Sequence, residues 1–454
     1  MTIVSLAGKQ SDEEISYDME TLAEVIAPAA AERMEEAKAG IVPEKHDHEH
    51  HIPEGGVKAW MTVAGAWWIS SICFGYANAF GVYQTYYVTE LLPSYSTSAI
   101  SWIGSLQAFF LYSTAIVAGP MFDRGYCRHM LVAGSVLFVG CLFAQAQAQR
   151  DAYYQIFLSQ GLGQGMAMGM LYLPGMAVVL QHFKKNSAVA IGIAFTGSSI
   201  GGIVFPIMIN NIFNDVGYVW GVRAAGFYVL GATVFANLLI RPQYAPKHTQ
   251  QPAPNIATFL KDPPYICAVA GAACVAFGLF FVYFYIQLYT LTRGGISQNF
   301  SFYTLAIVNG ASIFGRTIPN IFADKIGITK VLMPMSFLSG ALVFVMFGLH
   351  NVGGITIFCI LYGFITGAYV SMSGPFFAAM ADHMGEMGAR MGLALALVGI
   401  AALVGTPIDG ALLGNGPEYS WSRAIVFTSV MMIGGTCIMT VGAWLLAKKR
   451  GKWV

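Results

Sequence analysis

The sequence predicts an all-α integral membrane protein with twelve transmembrane helices, arranged as two pseudo-symmetric six-helix bundles. Three observations support this fold class: an extreme composition, twelve apolar segments of spanning length, and a motif that occurs twice. Of the 454 residues, 56% are hydrophobic and only 10% are charged, whereas soluble proteins carry roughly 25% charged residues. Because so few charges cannot cover a water-soluble surface, lipid must surround most of the chain.

The acidic residues are concentrated at the N-terminus, where 13 of the 23 Asp and Glu precede Val57. Residues 1–52 cannot bury enough apolar surface to fold alone, so we expect a disordered cytoplasmic tail. The run HDHEHH at 46–51 has the side chains of a zinc or nickel site, but a flexible tail does not hold metal ligands in place. We interpret it as a solvated tail and predict no metal and no cofactor. The absence of a clustered basic face argues against nucleic-acid binding.

Twelve segments are long and apolar enough to span a bilayer core of ~30 Å, which takes ~20 residues per helix. They must be helices, because every backbone polar group in lipid needs a partner within its own segment. In the first bundle, residues 53–240, the predicted spans are 58–82, 98–121, 129–148, 152–181, 187–212 and 219–240. In the second bundle, residues 264–446, they are 264–290, 298–322, 330–349, 352–380, 389–413 and 421–446.

The distribution of Lys and Arg predicts the orientation. With the N-terminus inside, 14 basic residues fall in the inner loops and the basic C-terminal tail 447–454, against four at most outside. Both termini are therefore predicted to be cytoplasmic, with the plasma membrane as the expected location. The polar segment 241–263, rich in Pro and Gln, is predicted to be a cytoplasmic linker between the bundles.

A short acidic and basic motif ends the second span of each bundle. GPMFDRG ends span two and NIFADKIG ends span eight, so that Asp123 and Asp324 are 201 positions apart. We predict that Asp123, Arg124, Asp324 and Lys325 gate the protein, by forming contacts that latch one conformation and break in another. A fixed salt bridge at the membrane interface is the alternative.

These motifs resemble the GxxxD(R/K)xG loop signature of the major facilitator superfamily. EGGVKAW at 54–60 and HFKKNSAVAIGIAFTGS at 182–198 resemble two signatures of the monocarboxylate porter family, and GYANAFG at 75–81 is similar to its fungal branch. The resemblance covers residues 54–446 and implies a secondary transporter that works by alternating access. No Walker motif or set of catalytic residues is evident, so an ion or substrate gradient is the expected energy source and no enzyme activity is predicted.

Arg316 is the main candidate for substrate binding. It lies eight positions before Asp324, or about 12 Å into the membrane at 1.5 Å per residue, and a charge at that depth indicates a functional site. Its planar guanidinium suits a carboxylate. Alternatively, the side chain snorkels to the inner surface or pairs with helix carbonyls. The resemblance also implies a functional arginine at this place in span eight.

Two positions depart from the proton-coupled members of the family. Where these have a lysine and an aspartate, this chain has Asn78 and Ser312, which we retain as substrate-binding candidates. Because that acid–base pair is missing, coupling to a proton stays open. Asp409, near the outer end of span eleven, is expected to be a helix-breaking or loop-capping group.

Aromatic and hydroxyl side chains complete the candidate substrate site: Tyr76, Tyr283, Tyr285, Tyr369 and Ser371. Such residues either pack between helices or line an adaptable cavity for a large planar ligand. Together with Arg316 they favour a small-molecule organic anion or amphipathic, carboxylate-like metabolite as substrate. The direction of transport stays open, and efflux of a fungal secondary metabolite is one interpretation. Uptake of a monocarboxylate or vitamin-like nutrient is the alternative, and a non-transporting membrane sensor is a third.

Overall fold

The computed structural model describes residues 55–243, 256–292, 296–381, 386–414 and 419–451. Residues 52–454 belong to one compact unit. The predictions for the tail 1–52, including its histidine run, lie outside the described residues, as does most of the predicted linker. Within the described ranges the regular structure is entirely helical, which confirms the predicted fold class.

Twelve long helical segments, α1–α12, account for almost all of the described chain. In the first half they are α1 (Val57–Ser70, Ser71–Gly75, Phe80–Tyr86 and Tyr87–Leu91), α2 (Thr97–Ser113 and Ala115–Asp123), α3 (Cys127–Gln145), α4 (Tyr153–Ile156, Phe157–Gln164 and Gly165–Leu180), α5 (Ser187–Asp215) and α6 (Tyr218–Leu239). In the second half they are α7 (Pro263–Thr292), α8 (Gln298–Ile326), α9 (Ile328–Val345 and Met346–Gly348), α10 (Val352–Ala378), α11 (Met387–Leu413) and α12 (Trp421–Arg450). A short helix, Ile256–Phe259, precedes α7.

Ten of the described helices are long and apolar enough to cross a membrane by themselves, and α1 and α8 are the two that differ. In α1 the regular helix ends at Ser70, a π-helical turn follows at Ser71–Gly75, and the backbone is interrupted at Asn78 and Ala79 before the helix resumes. In α8 the helix is continuous over 29 residues but carries buried polar side chains. Neither helix is therefore a regular, purely apolar span. The irregular backbone of α1 and the polar side chains of α8 both lie toward the protein interior.

The two halves meet along two seams, one between α5 and α8 and the other between α2 and α11. Glycines allow the backbones to approach closely in each seam. A Cβ atom on Gly192 of α5 would collide with the carbonyl oxygen of Arg316 on α8, and a Cβ atom on Gly392 of α11 would collide with that of Ala115 on α2. The two seams are thus equivalent contacts in a pseudo-symmetric body.

Candidate functional site

A stripe of buried polar residues runs along the face of α8 that packs against α5. We call it the polar stripe; it consists of Asn309, Ser312, Arg316 and Asn320. Their spacing of three and four residues places them on one side of the helix, and each is at most 6% exposed. The hydroxyl oxygens of Ser312 and Ser199 on α5 lie 2.6 Å apart. The polar stripe therefore forms part of the contact between the two halves.

Arg316 reaches across the seam to α5. Its Nη1 donates a hydrogen bond of 2.7 Å to the carbonyl oxygen of Phe195 and contacts the hydroxyl of Ser198. The guanidinium carbon lies 5.7 Å from the centre of the Phe195 ring. In this conformation the arginine thus pairs with a helix carbonyl, as one of the sequence-based alternatives proposed.

The positive charge of Arg316 nevertheless lacks an anionic partner. In the described part of the chain no carboxylate forms an ion pair with it, and its Nε has no hydrogen-bond partner. A buried charge without a counter-charge is costly. An anionic ligand is the kind of group that relieves this cost.

An aromatic cluster surrounds this position. Phe195 belongs to a group of rings from α1, α2, α4 and α5, in which Phe74 lies 4.8 Å from Tyr172, 5.8 Å from Tyr112 and 6.0 Å from Phe195 between ring centres. Phe280 of α7 approaches Tyr112 to 6.5 Å from the other half. The guanidinium of Arg316 therefore lies beside a surface suited to a planar, partly apolar ligand.

A cavity lies between the halves next to this cluster. It is lined by residues of α1, α2, α7 and α11, among them Asn78, Gln107, Tyr112, Phe280 and Phe284. Its volume is about 50 Å³, which is enough for a few water molecules. A metabolite therefore enters only if the halves move apart.

The structure brings most of the predicted substrate residues to this region. The side-chain amides of Asn78 and Asn309 both pack against Gly202 of α5. Each lies so close that a Cβ atom at this position would collide with it. Ser371 accepts a hydrogen bond of 2.9 Å from Asn320 of the polar stripe. Tyr283 lies near the Arg316 guanidinium, and its hydroxyl is 3.2 Å from that of Thr366.

The other three tyrosines have different surroundings. Tyr369 is buried on α10 and lies near Tyr112. Tyr76 points into the first half, where its hydroxyl donates to Tyr83 at 3.0 Å. Tyr285 lies beside α11, with its hydroxyl against Gly410. Tyr76 and Tyr285 therefore lie outside the region around Arg316.

Sequence reasoning missed a buried network of glutamine and tyrosine side chains in the first half. The network consists of Tyr76, Tyr83, Tyr87, Gln107, Gln145, Gln160, Gln164 and Tyr218. Gln145 is its hub, because its amide accepts from Gln164 at 2.7 Å and donates to Tyr87 at 2.7 Å. Gln107 also lines the cavity, so the network presents a neutral hydrogen-bonding group to a ligand. The signal in the sequence was four glutamines within apolar spans.

The two seams differ in chemistry although they share their geometry. Asp324 and Asp123 are 201 positions apart, so subtracting 201 from each residue number of the polar stripe gives the equivalent positions on α2. These positions carry only small or apolar residues: Ala108, Leu111, Ala115 and Gly119. The α5–α8 seam is thus polar and carries the buried charge, whereas the α2–α11 seam is apolar.

Two carboxylates latch the halves at one end of the bundle. Asp123 accepts hydrogen bonds from the backbone amides of Gly388 and Ala389, at 2.9 and 2.8 Å. Asp324 accepts from those of Ala188 and Val189, both at 2.9 Å. We call this the latch end and the opposite one the far end.

Each latch places a negative charge at the first turn of a long helix of the other half, where the helix dipole favours it. Backbone amides are thus among the partners of both aspartates. Among the described residues, Arg124 and Lys325 form no ion pair with either carboxylate. Both latches are closed in this conformation.

Two six-helix halves that are latched at one end, with a small cavity between them and a buried arginine at one seam, have the architecture of a membrane transporter. A model of the Major Facilitator Superfamily matches residues 61–406. The chain belongs to this superfamily, which confirms that part of the resemblance seen in the sequence.

Curated relatives are similar over most of their length. The chain is 37% identical over 408 residues to the aspyridones efflux protein apdF of Emericella nidulans, covering 89% of this chain and 81% of the relative. It is 35% identical over 404 residues to the fujikurins efflux protein of Gibberella fujikuroi, covering 89% and 86%. It is 34% identical over 379 residues to the agnestins efflux protein AgnL12 of Paecilomyces divaricatus, covering 84% and 86%.

Solved structures share the fold. The transporter FucP, in an outward conformation, matches with a TM-score of 0.64 at 14% identity, over 85% of this chain and 98% of FucP. The nucleoside transporter NupG matches with a TM-score of 0.62 at 13% identity, over 85% and 99%.

Proposed function

We propose that this protein exports an amphipathic organic anion, a fungal secondary metabolite, across the plasma membrane by alternating access. The observation that carries the proposal is the position of Arg316, a buried cation without a carboxylate partner at the seam between the halves. The aromatic cluster beside it suits the apolar part of such a ligand. The names of the three relatives, each an efflux protein, support export over uptake.

The geometry supports a specific sequence of events. When the latch end opens, the α5–α8 seam separates and Arg316 loses its hydrogen bond to the carbonyl of Phe195. The anionic group of the metabolite then takes the place of that carbonyl, and its rings pack on the aromatic cluster. Closure of the latches by Asp123 and Asp324 carries the ligand toward the far end, where it leaves.

The orientation and the subfamily are part of the same proposal. The excess of Lys and Arg in the loops at the latch end supports a cytoplasmic latch end and cytoplasmic termini. The motifs at 54–60 and 182–198 support a place near the monocarboxylate porters. Both the similarity to monocarboxylate porters and the position of Arg316 support a substrate with a carboxylate or enolate group.

The test is a comparison of metabolites inside and outside cells. The gene is deleted in the organism that carries it, and the strain is complemented with wild type, Arg316→Gln or Arg223→Gln. Arg223 is the matched control, because it stacks over Trp220 on α6 and lies outside the cavity. We expect the deletion strain to retain an anionic metabolite that wild type and Arg223→Gln export and Arg316→Gln does not.

Two results would contradict the proposal. If no metabolite changes its distribution between cells and medium on deletion, the protein is not an exporter under conditions in which it is expressed. If Arg316→Gln, present at the cell surface in normal amount, restores export fully, the arginine is structural. Surface amounts are compared with a fluorescent tag.

A further inference from the structure

Another buried charged residue, Asp409 on α11, belongs neither to the latches nor to the polar stripe. It is 0% exposed. Its Oδ1 accepts a hydrogen bond of 3.2 Å from the hydroxyl of Thr428 on α12. Its Oδ2 is also buried and has no hydrogen-bond partner among the described residues. Since α11 continues to Leu413, the expectation that Asp409 breaks the helix or caps a loop is wrong.

Asp409 lies below the membrane surface at the far end. Its partner Thr428 is seven residues into α12, counted from Trp421, which corresponds to about 10 Å at 1.5 Å per residue. On α7, Tyr285 is likewise seven residues from the end of its helix at Thr292. The carboxyl group is therefore about two helical turns inside the protein.

Among the described residues, no positive charge pairs with this carboxyl group. The groups that face it are Tyr285 of α7, Tyr362 of α10 and Thr428. Arg423 of α12 is exposed and, in the described part of the chain, no Lys, Arg or His forms an ion pair with Asp409. On α2 the titratable group is Tyr112, which packs against Gly399, ten residues or about 15 Å nearer the latch end.

An ionised carboxylate in such a place is costly, whereas a neutral carboxylic acid is tolerated. Because Oδ1 accepts from Thr428, the proton of the neutral acid would be carried by Oδ2. The conformation seen here, with the latch end closed, is therefore one in which Asp409 holds a proton.

Aromatic side chains connect Asp409 with Arg316 inside the second half. The Tyr362 ring lies 6.2 Å from that of Tyr283, Tyr283 lies near Arg316, and Tyr362 lies near Asp409. These side chains form a continuous row of neighbours between the two charged groups. The row provides a physical link between the binding of an anion and the protonation of the acid.

We propose that Asp409 is the proton-binding site of this transporter. Its carboxylate takes a proton from water at the far end, forming an O–H bond, and releases the same proton to water after the halves have moved and the latch end has opened. The proton is the only species bound or released at this site. The inference rests on the proposed export function for its transport consequence, but not for the protonation itself.

Protonation is tested on the purified full-length protein without any substrate. Infrared spectra of wild type and Asp409→Asn are compared at neutral pH in H₂O and D₂O. We expect the carbonyl band of a buried carboxylic acid in wild type and its absence in the variant. In Thr428→Val the band should persist at a shifted position, because the hydrogen bond to the acid is lost. Spectra of wild type and Asp409→Asn that are identical in this region would overturn the proposal.

Coupling is tested in the complemented deletion strain, with the retained culture metabolites as the probe. A pH difference of one unit supplies at most about a tenfold accumulation for one coupled proton. Acidifying the medium should raise the ratio of metabolite in the medium to that in cells for wild type and for Asp215→Asn, a control at the exposed far end of α5. It should leave the ratio for Asp409→Asn unchanged.

The outcomes separate the two proposals. If wild type exports nothing, the proposed function fails while the infrared result still decides the protonation. If wild type exports and its ratio does not respond to acid, or responds equally in Asp409→Asn, the assignment of the coupling proton to Asp409 fails.

Discussion

Arg316 of α8 donates a hydrogen bond to the carbonyl oxygen of Phe195 of α5, and this bond crosses the boundary between the two halves. In the proposed transport cycle, a guanidinium in this position has two roles in turn. With the seam closed it joins the halves, and with the seam open it is free to bind an anion. In that cycle the same side chain links binding of the ligand to closure of the α5–α8 seam.

Neutralising either latch should slow transport without weakening binding. In Asp123→Asn or Asp324→Asn the negative charge at the first turn of α11 or α5 is lost, and closure of the latch end becomes less favourable. We expect a lower maximal export rate in reconstituted vesicles, with an affinity for the retained metabolite within about threefold of wild type, or ~0.65 kcal/mol. Asp215→Asn is the control. A large loss of affinity at an unchanged maximal rate would show that the aspartates bind rather than gate.

A side chain at either seam glycine should hold the latch end open. Gly392→Val and Gly192→Val each place a methyl group against a backbone carbonyl of the opposite helix, which only separation of the seam relieves. The measurement is labelling of a cysteine introduced at Ser187, with Gly140→Val as control, because a Cβ atom on Gly140 meets no atom within 4 Å. We expect faster labelling in both seam variants than in the control. Equal labelling in all three would mean that the seams tolerate the extra volume.

The hub of the glutamine–tyrosine network should contribute to stability. Gln145→Leu removes the acceptor of Gln164 Nε2 and the amide that donates to the Tyr87 hydroxyl, and a buried polar group left unpaired costs ~1–3 kcal/mol. We expect a lower melting temperature in detergent than for Gln147→Leu, an exposed glutamine on the turn that follows α3. If the two variants melt together, water replaces the lost hydrogen bonds.

The acidic tail should be dispensable for transport. Because its composition provides little apolar surface for docking, deletion of residues 2–50 should change export per molecule at the surface by less than about twofold, equivalent to ~0.4 kcal/mol. Fluorescence of a C-terminal tag measures the number of molecules. Loss of export with normal surface amounts would assign the tail a role in the transport cycle.

The sequence was sufficient to predict the helical membrane fold, because the fold depends on local patterns. A local pattern also singled out Asp123 and Asp324, whose gating role stays a prediction. Twenty-residue apolar segments identify the spans, and the motif around Asp123 and Asp324 has a fixed position in each half. The depth of Arg316 likewise follows from its distance along one helix.

The partners of these residues could not be predicted, because they come from distant parts of the chain. Gly388 is 265 positions from Asp123, and no local pattern connects them. The contacts of Tyr76 could not be predicted for another reason. The π-helical turn at Ser71–Gly75 contains an extra residue per turn, so the face on which Tyr76 lies does not follow from the usual helical period. The burial of Asp409 depends on α7, α10 and α12 together, which a single span does not reveal.

The account depends most directly on the affinity of the purified protein for its anionic metabolite, measured for wild type, Arg316→Gln and Arg316→Lys. Loss of one partner of a desolvated charge pair typically costs ~2–5 kcal/mol, so Arg316→Gln should bind at least about tenfold more weakly, a factor that corresponds to ~1.4 kcal/mol. Arg316→Lys should recover only part of the loss, because an ammonium group does not reproduce the planar geometry of a guanidinium. If Arg316→Gln binds the metabolite as tightly as wild type, Arg316 serves only to join the helices, and the claim that this transporter recognises an organic anion is contradicted.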